Sequence, residues 1–537
     1  MFLRAGFYYK TFFGSNFLWK IFFEPFLRKM AGFSKAPSSK DKSVYLTKNI
    51  NCDVLIIGGG VAGIGAAYSM HKSKLDIILI EDDCNLLGNN KGENEENFIN
   101  KILKDIKGSI TIYNNTTVFG AYTDNYFAAI ERNPSFNIDS SDPAIKERLL
   151  LIRAKKVVFA TGAIERPIVF PNNDRPGIFL ANAFGSYLNS FGVLLGRKIV
   201  LFTNNDYAYS EILNLDKSEI ESIFVVDIRD DLNGDFPNKA KELNIPIYKS
   251  HVIVNAHGDK RIASVSIMCT KTQKLFTLDC DCLLVSGGFT PSLHLYAQQG
   301  GKILYEESAL GFIPESNNQN KQYCVGSISG KFDFVDCYMD GFDVGCKILE
   351  EFNLKKLIDF KKPEFLSFNY SKMAPLWWIK SNEKLESKSF IDFQNDTTVA
   401  DIRISKLEGF NNPEHIKRYT LNGFGTDQGK TGIINSLGLI AEMSNELIEN
   451  YKPTTYRSPF VPVSFGALAG RNIGLLSDPI RYTALHDCHY ELNAQFEDVG
   501  QWKRAWYYPS NSEQIAQAVS RECINVRSGV GILDAST

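Results

Sequence analysis

An α/β chain built on two dinucleotide-binding folds, one inserted into the other, is predicted by three observations. A glycine cluster, Gly58-x-Gly60-x-x-Gly63, follows a short apolar run. Two later apolar runs end in small-residue turns, Ala160-Thr161-Gly162 and Ser286-Gly287-Gly288. Between those turns lies another strand–helix–strand pattern, residues 198–227.

Each element follows from its residues. Cys52-Asp53-Val54-Leu55-Ile56-Ile57 is apolar on both faces, as a buried parallel strand must be. A helix over residues 62–72 and a second buried strand, Asp76-Ile77-Ile78-Leu79-Ile80-Glu81, complete a βαβ unit. Residues 109–133 and 149–160 alternate as strands, and Val157-Val158-Phe159 is buried. The inserted unit starts at Lys198-Ile199-Val200-Leu201-Phe202-Thr203 and reaches Phe224-Val225-Val226-Asp227. Residues 250–284 form an antiparallel patch, and residues 341–352 a helix. The order is that of a two-dinucleotide-binding-domain, glutathione-reductase-like flavoprotein core. Residues 49–190 and 285–355 make the first fold, and residues 191–284 the insert. After Lys362 the texture turns helical (398–408, 413–421, 432–449), giving a small helical domain over 356–460. Residues 453–480 are Pro- and Gly-rich and read as extended. A new unit starts near Pro479, and residues 531–537 read as part of a strand. Residues 1–48 form an aromatic-rich helical segment and a polar linker.

Composition narrows the function. Lys+Arg is 59 and Asp+Glu is 61 in 537 residues, without the basic excess of a nucleic-acid binder. The ten cysteines contain no CxxC, which argues against a redox dithiol or a Cys-paired zinc site. Scattered thiols, including Cys280 and Cys282 on one strand face, suit a reducing cytoplasm. Charges at Arg4, Lys10, Lys20, Glu24, Arg28 and Lys29 interrupt the aromatic N-terminal run. That excludes a spanning helix there and fits an amphipathic helix packing on a partner or domain, with a membrane-surface helix as the alternative.

The chemistry concentrates at Gly58. Gly58 permits the tight turn, Gly60 lets a pyrophosphate approach the backbone, and Gly63 lets helix and strand pack closely. The helix beginning at Ala62 offers its N-terminus to phosphates. Glu81, eighteen residues beyond Gly63, can accept from a ribose diol. Its charge repels a 2′-phosphate, so NAD or FAD is expected here and NADP is not. Asp82, Gly88, Val118, Ala160, Thr161, Gly162, Arg166, Gly287, Gly288 and Gly326 complete the expected cofactor set. In the inserted fold, Thr203-Asn204-Asn205-Asp206 stands where a glycine fingerprint belongs, so that unit is structural or degenerate. Arg418 and Gly425-Thr426-Asp427-Gln428-Gly429-Lys430-Thr431 form a second phosphate-type constellation, though Phe424 breaks the P-loop pattern. His486 and His489 lie close together without a metal-binding pattern. No catalytic residue or metal ligand is assigned.

Several segments resemble the alpha subunit of heterotetrameric sarcosine oxidase. They are Ala5-Gly6-Phe7-Tyr8-Tyr9-Lys10-Thr11-Phe12, the Gly58 motif, Ala160-Thr161-Gly162-Ala163-Ile164-Glu165-Arg166-Pro167 and Phe202-Thr203-Asn204-Asn205-Asp206. Asp392-Phe393-Gln394-Asn395-Asp396, Lys417-Arg418-Tyr419-Thr420 and Thr426-Asp427-Gln428-Gly429-Lys430-Thr431 extend the likeness. Phe496-Glu497-Asp498-Val499-Gly500-Gln501-Trp502-Lys503-Arg504 and Gly529-Val530-Gly531-Ile532-Leu533-Asp534-Ala535-Ser536-Thr537 complete it. The resemblance implies an oxidoreductase acting on CH–NH groups. The family oxidises sarcosine to glycine, reduces oxygen to hydrogen peroxide and passes the methyl carbon to tetrahydrofolate. It implies NAD in the Gly58 site, FMN shared with a beta subunit, and gamma and delta partners, in the cytoplasm. Lys430 and Thr431 become candidates for the FMN edge.

Residues 461–537 then read as a linker and the start of an aminomethyltransferase-like, folate-binding domain. The family carries a ferredoxin-like domain before the aromatic segment, inside which this chain starts, and most of the folate pocket lies beyond Thr537. The chain alone is therefore expected neither to transfer the methyl carbon nor to be active without partners. Related amine dehydrogenases hold an iron–sulfur cluster in the region resembling 390–432. Asp392, Gln394 and Asp427 take likely ligand positions here, and without thiolates no cluster is held. The alternatives are an alpha subunit of a related proline or amino-acid dehydrogenase complex, a stand-alone FAD/NAD(P)H oxidoreductase, and a non-catalytic scaffold.

Overall fold

The structure, a computed structural model, describes residues 16–33, 38–39, 41–87, 93–132, 145–215, 218–315, 321–358, 368–510 and 512–535. Two compact units emerge, one of residues 1–44 with 140–144 and one of the remainder. Within the first, residues 16–30 are helical, with one π-type turn over Trp19–Phe23. Phe17, Ile21, Phe22 and Phe26 are exposed along it.

In the second unit, the strand Val44–Ile57 is flanked by Ile77–Ile80 and by Ile145–Phe159 in a seven-stranded sheet. Ile77–Ile80 continues in parallel to Thr111–Tyr113. Tyr126–Arg132 and Thr116–Tyr122 extend the sheet antiparallel beyond Ile145–Phe159. Alternation explains why the run Val54–Ile57 is apolar throughout. Val54 and Ile56 pack with Ala62, Ala66 and Ile348 under the helices, while Leu55 and Ile57 pack with Phe127, Leu150 and Phe159 on the other face.

The expected helix at 62–72 is Val61–Met70, and that at 341–352 is longer, Phe334–Glu351, begun by Asp333 capping Val335 and Asp336. The two cross at very close range because small residues meet there. A Cβ on Gly341 would stand 1.9 Å from the Ala62 carbonyl oxygen.

The second sheet is wholly parallel, in the order Ile247–Lys249, Ser222–Asp227, Lys198–Thr203, Cys282–Ser286, Ile178–Leu180. A three-stranded meander, His251–Gly258, Ile262–Cys269 and Leu275–Asp279, packs on it. The helices of the 390–450 region are Val399–Leu407, Pro413–Thr420 and Ile433–Ser444. Thr398 and Asp401 form a capping box, and Asn412 caps the next helix. Ile433–Ser444 stops short of the expected residue 449 because Asn445 turns left-handed at φ +55°.

Two expectations fail. Residues 453–480 are not extended throughout, since Phe465–Ala469 is helical behind a Ser464 cap. Residues 531–535 pair with no strand, so the expected strand is not formed among the described residues. Apolar alternation alone cannot make a strand without a ladder partner. No helix among the described residues is long and apolar enough to cross a membrane.

Candidate functional site

The first turn shows why three glycines stand where they do. Gly58 has φ +106°, and a Cβ on it would lie 2.2 Å from the Ala160 carbonyl oxygen. On Gly63 it would lie 1.9 Å from the Gly58 carbonyl oxygen. Around Gly60 there is nothing within 4 Å, so the space a pyrophosphate needs is open. Gly60 caps the helix Val61–Met70 without a side-chain bond, so the cap residue itself leaves the first N–H groups of that helix unfilled.

Glu81 closes the turn from the end of the second strand. Its carboxylate accepts from the Gly59 N–H at 2.6 Å and from the Asp83 N–H at 3.0 Å. Burial, reinforced by Asp82, nevertheless pushes its pKa up to about 7. Asp82 is exposed beside it. The Thr116 N–H donates to the Glu81 carbonyl, which sets Val118, buried in Thr116–Tyr122, two residues further along that strand.

The Ala160 N–H donates to the Ile57 carbonyl, and the Thr161 hydroxyl to the Ser292 carbonyl. Gly162 has open space around it. A Cβ on Gly326 would lie 2.6 Å from the Ala62 Cβ, and its N–H is held by Asp340. The structure thus gathers Gly58, Gly60, Ala62, Gly63, Glu81, Ala160 and Gly326 around one turn. Gly88 lies outside the described residues.

Arg166, Gly287 and Gly288 form another group. The Arg166 N–H donates to the Gly288 carbonyl, and the Gly287 N–H to the Arg166 carbonyl. The guanidinium donates to the Phe289 carbonyl and lies over the Trp377 ring at 5.2 Å. Full burial lowers its pKa to about 10.

The third group is the glycine-flanked loop. Gln394 donates to the Thr426 hydroxyl and accepts from the Asp427 N–H, while Asp392 accepts from the Gly423 N–H at 2.7 Å. Lys430 donates to the Phe460 carbonyl and lies 4.5 Å from the centre of that ring. Burial lowers its pKa, with Asp427 opposing. Thr431 lines a cavity of about 260 Å³ with Ile168, Phe170, Arg175, Phe179 and Phe393. Arg418 is not drawn into this loop's hydrogen bonds. It is exposed and pairs with Glu414 on its own helix.

Two arrangements escaped the sequence. His294 is half-buried and stacks on Phe460, ring centres 3.6 Å apart, and loss of solvent around the imidazole together with Lys430 lowers its pKa to about 3, so it is neutral. His489 is bonded on both ring nitrogens, to Tyr508 at 2.6 Å and to Asp534 at 2.8 Å. His294 is an isolated histidine with no spacing signal. Asp534 is 45 residues from His489, beyond any local pattern.

Comparison with known proteins now bears on these groups. Residues 52–199 match the pyridine nucleotide-disulphide oxidoreductase family, residues 386–471 the sarcosine oxidase A3 domain, and residues 485–537 the GCVT N-terminal domain. Over 533 residues, 95% of the chain, identity is 36% with the sarcosine oxidase subunit alpha of Corynebacterium sp. (strain U-96). The chain is a homologue of sarcosine oxidase alpha subunits. Identity with the subunit alpha of Rhizobium meliloti (strain 1021) is 32% over 549 residues, 100% of the chain. The chain spans about half the length of these relatives, 54% of each. Among solved structures, L-proline dehydrogenase from P. horikoshii shares the fold, with TM-score 0.59 and 21% identity over 81% of each chain. The α/β core of FAD/NAD oxidoreductase type and the start of a GCVT-like domain are therefore established.

Proposed function

We propose that this chain is the alpha subunit of a sarcosine oxidase complex, holding NAD at the Gly58 turn and forming part of an FMN interface with a beta subunit. The observation that carries the first half is the space around Gly60, bounded by Gly58, Gly63 and the Glu81 carboxylate. Residues of this chain fit an adenine dinucleotide there. The end of the helix Val61–Met70 faces phosphate, and Glu81 accepts from a ribose hydroxyl. With Asp82 beside it, a 2′-phosphate is repelled.

FMN, when bound, supplies the electron relay to oxygen. Lys430 and Thr431 are the residues of this chain suited to its edge, one as a half-buried cation and one on a cavity wall. The match of residues 485–537 to the GCVT N-terminal domain supports a folate-linked transfer of the methyl carbon in the full complex. In this reading beta, gamma and delta subunits are the partners, the amine-oxidising site is on another chain, and the complex is cytoplasmic. All ten cysteines are unpaired, as a reducing compartment requires.

The test is the nucleotide released when the purified chain is heat-denatured, identified by absorbance and mass. NAD without flavin is the expected result, and FAD would overturn the assignment of the Gly58 site. The likeness in fold to L-proline dehydrogenase favours a second reading, an alpha subunit of a proline dehydrogenase complex. Flavin bleaching by sarcosine or by proline, with the beta subunit present, separates the two.

A further inference from the structure

In an open parallel sheet the ligand crevice lies beyond the carboxyl ends of the strands, where the strand order reverses. In the second sheet that point falls between Lys198–Thr203 and Cys282–Ser286, with Ser222–Asp227 beside the first. The residues leaving those strands are Asn204, Asn205, Asp206, Gly287 and, past Asp227, Arg229. A segment about 165 residues further along the chain lies across them.

The contacts run residue by residue. The Asn369 N–H donates to the Asp235 carboxylate and its carbonyl accepts from the Asp235 N–H, both at 2.9 Å. The Ser371 N–H donates to the Asp206 carboxylate at 2.6 Å, and its hydroxyl accepts from the Gly234 N–H at 2.8 Å. The Ala374 N–H donates to the Asn204 carbonyl, and its carbonyl accepts from the Asn204 side chain at 2.6 Å. The Tyr370 ring stacks on Tyr207, in the first turn after the strand, at 4.5 Å and 26°. Phe236 packs 5.5 Å from the same Tyr370 ring and 5.1 Å from Phe368.

The turn is filled as well as crossed. A Cβ on Gly234 would lie 2.0 Å from the Asp206 carboxylate and 2.8 Å from the Ser371 nitrogen. The negative charge there belongs to Asp206, fully buried and ion-paired at 2.8 Å with Arg229, which also pairs with Asp227. An anionic pyrophosphate would meet a buried carboxylate instead of a row of free N–H groups.

We propose that residues 368–374 are the built-in ligand of the second dinucleotide fold. The segment takes the place of a nicotinamide dinucleotide, Asp206 supplies the anion, and this fold binds no free NADH or NADPH. Hydride from a soluble nicotinamide donor has no entry there. The inference does not rest on the occupant of the Gly58 turn.

Hydrogen exchange on the full chain, read by peptide with and without saturating NADH or NADPH, tests it. Peptides over 369–374 should exchange about tenfold or more slower than exposed loops, unchanged by either nucleotide. Asp206→Ala should accelerate them about tenfold while peptides over 54–70 keep their rate. Faster exchange over 369–374, or new protection at 203–207, on adding NADPH to the unaltered chain would overturn the proposal. So would rapid exchange at Ser371 and Ala374 in the unaltered chain, a result that needs no variant to fold.

Discussion

At the end of its first strand the first dinucleotide fold turns through Gly58, Gly59 and Gly60, whereas the second turns through Asn204, Asn205 and Asp206. Both turns follow a buried apolar run with a parallel neighbour, Val54–Ile57 beside Ile77–Ile80 in one case and Ile199–Thr203 beside Ile223–Asp227 in the other. Around Gly60 there is open space, but at Asp206 every approach is taken by Arg229, Ser371 or the backbone at Gly234. A strand–helix–strand unit thus sets up a crevice, and the few residues at its turn decide whether the crevice admits a molecule or closes over the chain itself.

Substitutions can break or sharpen this contrast, beginning with the largest expected effect. Arg229→Leu should leave Asp206 and Asp227 buried without a cation and cost about 3–5 kcal/mol of stability. Burial already pushes the Asp227 carboxyl upward against its partner's pull. Urea denaturation would show the loss, and an unchanged midpoint would mean the pair contributes nothing. Gly63→Val should drive a side chain into the Gly58 carbonyl and weaken nucleotide binding by about 100-fold. Nucleotide content of the purified variant, against its thermal midpoint, separates lost binding from lost folding.

Glu81→Gln should have two effects of opposite sign. With the folded pKa near 7 and the unfolded value near 4.5, the folded protein keeps a proton between those pH values that the unfolded chain has lost. Stability of the nucleotide-free protein therefore falls as pH rises through that window, and the fall is complete above about 7. Glu81→Gln should abolish that slope and gain about 1 kcal/mol at pH 8. It should also bind nucleotide about tenfold more weakly, having lost a charged acceptor for the ribose. Calorimetry across the pH range checks both. Arg418→Ala should be the mildest, within about 0.5 kcal/mol, because its pair with Glu414 is exposed and within one helix. Unaltered flavin content with the beta subunit would accompany it.

Much of the first fold was legible because its signals are local. The strand, glycine turn, helix and acid all fall within residues 52–81, and each constrains its neighbours directly. The group Arg166–Gly287–Gly288 was legible as small-residue strand ends, but the burial of Arg166 over Trp377 depends on a partner some 210 residues away. The segment over the second fold was illegible for the same reason. Phe368-Asn369-Tyr370-Ser371 carries no pattern that points to Asp206. The absence of glycine at 203–206 pointed to a structural or degenerate unit, and only tertiary contact showed what lies there. At the other end, residues 531–535 offered apolar residues without a strand to pair with, so composition misled.

The junction between residues 392–395 and 423–427 has a consequence for how the protein is made. Asp392 holds the Gly423 N–H, Asn395 donates to the Phe424 carbonyl, and Gln394 grips both Thr426 and Asp427. Amide and carboxylate side chains carry this cross-link between two loops that are about 30 residues apart in the chain. Such a joint ties the two loops to each other by hydrogen bonds alone, so the folding of residues 392–395 and of residues 423–427 is coupled, and loosening one loop loosens the other.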